Sequence, residues 1–197
     1  MTIDYAGSRG RSTHRWLVAS TGLLFTTLLL LFASDVQAQG SIGVEGRAGV
    51  TFPQGDLSDA GAESGLSFGV EVLAGIQRNL TAYVGAHRHA FNCEDACRLR
   101  LGNNPTSTGV GAGLKYIVQS PGDVLTWVRG GVIAQTLESE TRSSSREIGF
   151  ELGIGADLPV APRFYLVPNL GFLSHDGGGG VTASFFTFGL GAHYHLR

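Results

Sequence analysis

From residue 41 to its end, this chain alternates apolar side chains with small or polar ones at a period of two. In 42–52, Ile42, Val44, Ala48, Val50 and Phe52 alternate with Gly43, Glu45, Arg47, Gly49 and Thr51. In 66–76, Leu66, Phe68, Val70, Val72, Ala74 and Ile76 alternate with Ser67, Gly69, Glu71, Leu73 and Gly75. Segment 146–158 does the same with Ile148, Phe150, Leu152, Ile154, Ala156 and Leu158 against Glu147, Gly149, Glu151, Gly153, Gly155 and Asp157. Successive side chains of a strand point to opposite faces, so each segment is a strand with one apolar and one polar face. No helical period of 3.6 residues competes with it.

The pattern predicts about eight strands, near 41–53, 64–77, 80–91, 107–118, 123–136, 146–158, 163–173 and 182–196. "QRN" (77–79), "QSPGD" (119–123) and "PVAPR" (159–163) are short turns with Pro, Gly or Asn. Between them fall longer polar loops at 54–63, 92–106, 137–145 and 174–181.

The residues before 41 carry a different signal. Arg9, Arg11 and Arg15 precede the apolar run "WLVASTGLLFTTLLLLFA" (16–33), and "VQA" (36–38) offers small residues where a signal peptidase reads. This predicts a secretory signal peptide, 1–38, cut after Ala38, and an exported domain, 39–197. The alternative is an uncleaved helix just long enough to span a bilayer. A net charge of -2, with no basic cluster after residue 15, gives nothing to draw a nucleic acid to the surface.

Short turns alternating with long loops, in an exported chain with an even number of strands, are the pattern of an outer-membrane barrel. Within a bilayer every backbone N–H and C=O must be paired, so a spanning sheet has to close and its last strand must seal against its first. That accounts for "FGLGAHYHLR" (188–197), where Phe188, Leu190, Ala192, Tyr194 and Leu196 keep the alternation running to the last residues. The predicted fold is an all-β, eight-stranded antiparallel up-and-down barrel with both termini on the periplasmic side. In this pattern, and in phrases such as "GFELGIGADLPVAPRFYLVPNLGF", the chain resembles the eight-stranded outer-membrane β-barrel proteins, the opacity-porin and OmpA-like barrels. The ending, with Gly191, Tyr194 and Leu196, resembles the carboxy-terminal signal read by the barrel-assembly machinery. Leu190 stands where that signal usually has a polar residue, and Arg197 follows where an aromatic usually ends the chain. The resemblance implies outer-membrane lipids and the assembly machinery as partners. It leaves several roles open: adhesin, envelope anchor, small-molecule conduit or lipid-modifying enzyme.

A mid-membrane charge on the lipid face costs on the order of 2–4 kcal/mol for Arg or Lys. Strands are therefore oriented with Glu45, Arg47, Glu71, Lys115, Arg129 and Glu151 facing the lumen, joined by Asn169. An eight-stranded barrel is only wide enough for side chains to fill, and buried charges must pair. The expectation is a charged plug rather than an open pore. A gated ion path or a polar ligand site in the lumen is the functional alternative. Phe52, Tyr83, Tyr116, Trp127, Phe164 and Tyr194 are candidate girdle aromatics, with Tyr165 competing with Phe164 and Trp127 sharing a face with Arg129. Arg88 falls on the apolar face, toward the outer end.

His87 and His89 form one i, i+2 pair near the outer rim, and His193 and His195 another at the periplasmic end. No single metal can be held by both, and each pair alone is an incomplete site, so no metal is predicted. Cys93 and Cys97, the only cysteines, lie in an outer loop of an exported chain and predict a disulfide. No catalytic residue is predicted: Ser174 and His175 are adjacent rather than two apart, and "GVGAG" (109–113) has no following helix to make a nucleotide loop. No cofactor follows either.

Two functional readings remain. One is an integral outer-membrane barrel with a structural or recognitional role carried by its long loops, with an extracellular ligand as partner. The other is a conduit or carrier of small hydrophobic molecules, either in the membrane or as a soluble lipocalin-like barrel. Which face of the barrel is apolar separates the membrane form from the soluble one.

Overall fold

The computed structural model describes residues 40–93, 104–118, 122–139, 145–177 and 181–196. The elements are β1 (Ile42–Gln54), α1 (Asp56–Asp59), β2 (Ala62–Glu63), β3 (Gly65–Gln77), β4 (Leu80–Ala90), β5 (Asn92–Cys93), β6 (Thr106–Val118), β7 (Leu125–Glu138), β8 (Glu147–Ala161), β9 (Phe164–Asp176) and β10 (Thr182–His195). Eight strands close in the order β1-β10-β9-β8-β7-β6-β4-β3, with consecutive strands of the barrel antiparallel, while β2 and β5 form a separate ribbon. The seal pairs Val44 with Tyr194 and Phe52 with Phe186, so the barrel presents no open edge.

In each barrel strand the odd-numbered residues turn inward and the even-numbered ones outward. The outward set is apolar: Val70, Val132 and Ile148 are 64%, 60% and 77% exposed. The inward set holds the charges: Glu45, Glu71 and Glu151 are each 1% exposed. This is the reverse of a water-soluble barrel, and it places the polar chemistry of the chain inside.

Strand limits differ from the sequence expectation in several places: β7 runs to Glu138, two residues into an expected loop, and Asn92–Cys93 in another expected loop forms β5. The segment 54–63 is not a plain loop, because α1 and β2 fold onto the barrel end and bury Leu57 and Ala62. Strand β9 continues to Asp176, since Ser174 and His175 pair with Ser184 and Ala183. Strand β8 runs through the expected turn to Ala161, with a register shift between Pro159 and Ala161. Proline is tolerated at such an irregularity because it has no N–H to give to the ladder. The expected signal peptide, 1–38, lies outside the described residues.

Candidate functional site: the polar lumen

At mid-height the lumen is crossed by an ion-pair network. Arg129 on β7 donates from Nη1 to Glu71 Oε1 and Oε2 at 2.8 and 3.1 Å, and from Nη2 to Glu151 Oε2 at 3.1 Å. The Tyr83 hydroxyl donates to the other oxygen of Glu151 at 2.6 Å. The Arg129 guanidinium also lies 5.0 Å from the centre of the Tyr83 ring. Arg47 on β1 pairs with Glu45 two residues away and reaches Glu71 at 2.8 Å. Bidentate and charge-assisted contacts of this kind are the strong ones in a region closed to water.

Toward the turn end, Lys115 Nζ lies 2.9 Å from both oxygens of Asp157 and 3.9 Å from Glu45 Oε2. The Trp127 indole donates to Asp157 Oδ1 at 2.8 Å, and Lys115 Nζ sits 4.5 Å from that ring. Next to them is His193, whose Nδ1 is 3.9 Å from Asp157 Oδ2. Its ring stacks obliquely on His195, with centroids 4.4 Å apart, and on Tyr165 at 5.8 Å. A cavity of about 100 Å³, lined by Lys115, Asp157, His193, His195 and Arg78 among others, lies at this end.

Toward the loop end, the lumen is lined by histidine and serine and then by apolar side chains. His87 Nε2 is 3.5 Å from Glu71 Oε1, His89 Nδ1 is hydrogen-bonded to the Ser67 hydroxyl at 2.9 Å, and His175 Nε2 to the Ser107 hydroxyl at 2.9 Å. Above them Leu57, Ala62, Phe91, Ile133, Leu173, Ala183 and Phe185 form a buried apolar cluster, with Phe91 edge-on to Phe185 at 5.1 Å. The backbone N–H of Thr182 donates to Asp56 Oδ2 at 3.0 Å and ties α1 to β10.

Large lumen side chains are accommodated by glycine on the neighbouring strand. Tyr83 is paired with Gly113, which is paired with Gly131, and Trp127 is paired with Gly155. A Cβ on any of these glycines would fall within contact-violating distance of the Tyr83 hydroxyl or the Trp127 ring. This accounts for inward glycines that alternation alone reads only as small residues.

The structure brings Glu45, Arg47, Glu71, Lys115, Arg129 and Glu151 into one lumen network. Asn169 also faces inward, where its amide donates to the Val167 carbonyl. Two expected girdle aromatics belong instead to the lumen: Tyr83 and Trp127 are 4% and 1% exposed. Each serves a buried carboxylate, which outweighs the preference of an amphipathic ring for the membrane surface. Phe52, Tyr116, Phe164 and Tyr194 do face outward, as does Arg88. His87 is deeper than the rim, in reach of Glu71, and the expected loop residue His175 is a buried strand residue. Sequence reasoning did not single out Asp157 or join His193 to it; the shared inward parity of 115, 127 and 157 was the available signal. Gly191 points inward against Arg47 and Glu45, while Tyr194 and Leu196 are outward. Cys93 packs beside the apolar cluster; Cys97, its expected partner, lies outside the described residues.

The chain matches no protein-family profile and no curated protein. Among solved structures it is similar to Neisserial surface protein A, with 14% identity over 79% of this chain and 97% of that one and a TM-score of 0.64. It is also similar to the outer membrane protein OprG from Pseudomonas aeruginosa, with 14% identity over 82% of this chain and 100% of that one and a TM-score of 0.52. The fold is that of an eight-stranded outer-membrane β-barrel.

Proposed function

We propose that this chain is an integral protein of a bacterial outer membrane, both termini periplasmic, with a structural or surface-recognition role carried by the long connections that join β1 to β3, β4 to β6, β7 to β8 and β9 to β10. The observation that carries this reading is the inversion of the barrel. A band of large apolar side chains faces outward while four carboxylates and their partners are buried inside. In water the outer band is one large exposed apolar surface; in lipid it is solvated. Charged side chains plug the lumen, and the apolar cluster of Leu57, Phe91 and Phe185 closes its loop end, so chemistry with partners falls to the loops. Gly191, Tyr194 and Leu196 serve as the signal for the assembly machinery, and outer-membrane lipids are the lasting partners. No enzymatic role is proposed.

A gel comparison of boiled and unboiled protein from outer-membrane fractions tests the location. A heat-dependent mobility shift is expected. Trypsin added to intact cells is expected to cut in the loops 92–106 and 137–145, which carry Arg98, Arg100 and Arg142, and to leave the rest of the chain protected. Soluble periplasmic protein without a shift overturns the reading and makes a lipocalin-like carrier the better one. A second reading, handling of small hydrophobic molecules, is favoured by a shallow apolar hollow of about 340 Å³ on the outer wall, between Val128, Leu152, Ile154, Leu170, Phe172 and Phe186.

A further inference from the structure

Four buried carboxylates, Glu45, Glu71, Glu151 and Asp157, share three buried or nearly buried cationic side chains, Arg47, Lys115 and Arg129, among the described lumen residues. Arg129 is committed to Glu71 and Glu151, and Arg47 to Glu45 and Glu71. Lys115 lies against Asp157 and stands off from Glu45. The excess negative charge therefore gathers at one place. There, Glu45 Oε2 and both ring nitrogens of His193 are buried with no hydrogen-bond partner. An orphaned carboxylate oxygen and an orphaned imidazole side by side are each costly in a region closed to water, and a cation between them answers both.

We propose that Glu45, Asp157 and His193 form a binding site for a single divalent transition-metal ion in the turn-side half of the lumen. One ligand atom from each of the three residues lies within 4.8 Å of the others. Ligands held at about 2.0–2.2 Å from a tetrahedral zinc-like ion are roughly 3.3–3.6 Å apart, so rotamer changes that draw the three ligand atoms together by up to about 1.5 Å close the set. One imidazole with two carboxylates suits a borderline ion such as Zn²⁺ better than Ca²⁺ or Mg²⁺, which prefer all-oxygen shells. Both carboxylates are already oriented by outer partners: the Trp127 indole holds Asp157, and Arg47 holds Glu45 by its other oxygen. Lys115 is the built-in competitor. Its ammonium occupies the cation position at Asp157, and the 100 Å³ cavity it lines gives it somewhere to swing and gives the ion a way in from the turn end. The proposal rests on lumen geometry and is independent of what the loops recognise.

Protein extracted in detergent from outer-membrane fractions, stripped with a chelator and titrated calorimetrically with Zn²⁺ tests it. One ion per chain is expected. His193→Ala is expected to weaken binding by at least about tenfold, since even outer partners of a metal site carry factors on the order of 10–100. Lys115→Met is expected to tighten it, because the competing cation is gone, and His89→Ala to leave it unchanged. Heat-modifiable mobility confirms that each variant is folded. Zn X-ray absorption on the unmodified protein needs no variant and is expected to show one imidazole among oxygen ligands. No saturable binding, binding that survives His193→Ala, a Lys115→Met variant that binds more weakly, or a shell of several imidazoles or of sulfur overturns the proposal.

Discussion

Arg129 on β7 donates through Nη1 to both carboxylate oxygens of Glu71 on β3, 2.8 and 3.1 Å away across the lumen. The two strands are not neighbours in the barrel, so this contact braces the wall from inside. With Nη2 on Glu151, a single guanidinium serves two carboxylates. Arg129→Met leaves Glu151 with no cationic partner among the described residues and Glu71 with Arg47 alone, and is expected to destabilise the folded barrel by roughly 3–5 kcal/mol, the usual consequence of breaking a buried pair from one side. The triple variant Arg129→Met, Glu71→Gln, Glu151→Gln removes the stranded charges and is expected to recover much of the loss. Urea unfolding in lipid vesicles measures both, and equal stabilities of the two variants would sink the idea.

The glycine pairing gives a prediction about size rather than charge. A Cβ at Gly113 would meet the Tyr83 hydroxyl and the Gly130 carbonyl, whereas one at Gly46, on the outer wall, meets nothing within 4 Å. Gly113→Ala is therefore expected to reduce the heat-resistant folded form and Gly46→Ala to leave it unchanged on the same gel. Tyr83→Phe in the Gly113→Ala background is expected to rescue only in part, because the backbone carbonyl remains in the way.

Much of the barrel was legible because period two is a local signal. Outward Val70 and Val132 and inward Glu71 and Glu151 follow from alternation together with the cost of a charge in lipid. Parity alone puts Tyr83 with His87 and Trp127 with Arg129 on the inner face, but an amphipathic ring near a strand end also suits the membrane surface, and only the partner it meets decides between the two. The placement of these rings depends on carboxylates 68 and 30 residues away in the chain. The apolar closure of the loop end was hidden for the same reason: Leu57, Phe91 and Phe185 come from three separate segments that only the closed topology brings together.

The orientation of the wall makes a depth-dependent prediction. Val132 lies mid-strand on β7 and faces outward, paired with Ala112 and Phe150, whereas Val118 is outward at the turn end of β6. In a bilayer Val132→Arg is expected to destabilise by about 2–4 kcal/mol and Val118→Arg by about 0–1 kcal/mol. Unfolding in lipid vesicles reads both. In a water-facing barrel both substitutions put a charge on a solvated surface, so two near-neutral results would point to the soluble form.

Conductance separates a plugged lumen from a pore. On the proposed reading three layers obstruct the interior: the apolar cluster around Leu57 and Phe91 at the loop end, the Arg129, Glu71, Glu151 and Tyr83 network at mid-height, and Lys115, Asp157, Trp127 and His193 toward the turn end. An eight-stranded barrel has room for side chains and little more, so any one layer is expected to stop ions. The unmodified protein in a planar bilayer is expected to give no steady current, and Leu57→Ala with Phe91→Ala to give none either, because the charged layers still span the lumen. Current is expected only when Tyr83→Ala and Arg129→Ala at mid-height and Trp127→Ala and Lys115→Ala toward the turn end are added to that pair. Steady current through the unmodified protein would mean that the network moves aside as a gate, and the charged residues would then be an ion path rather than a plug.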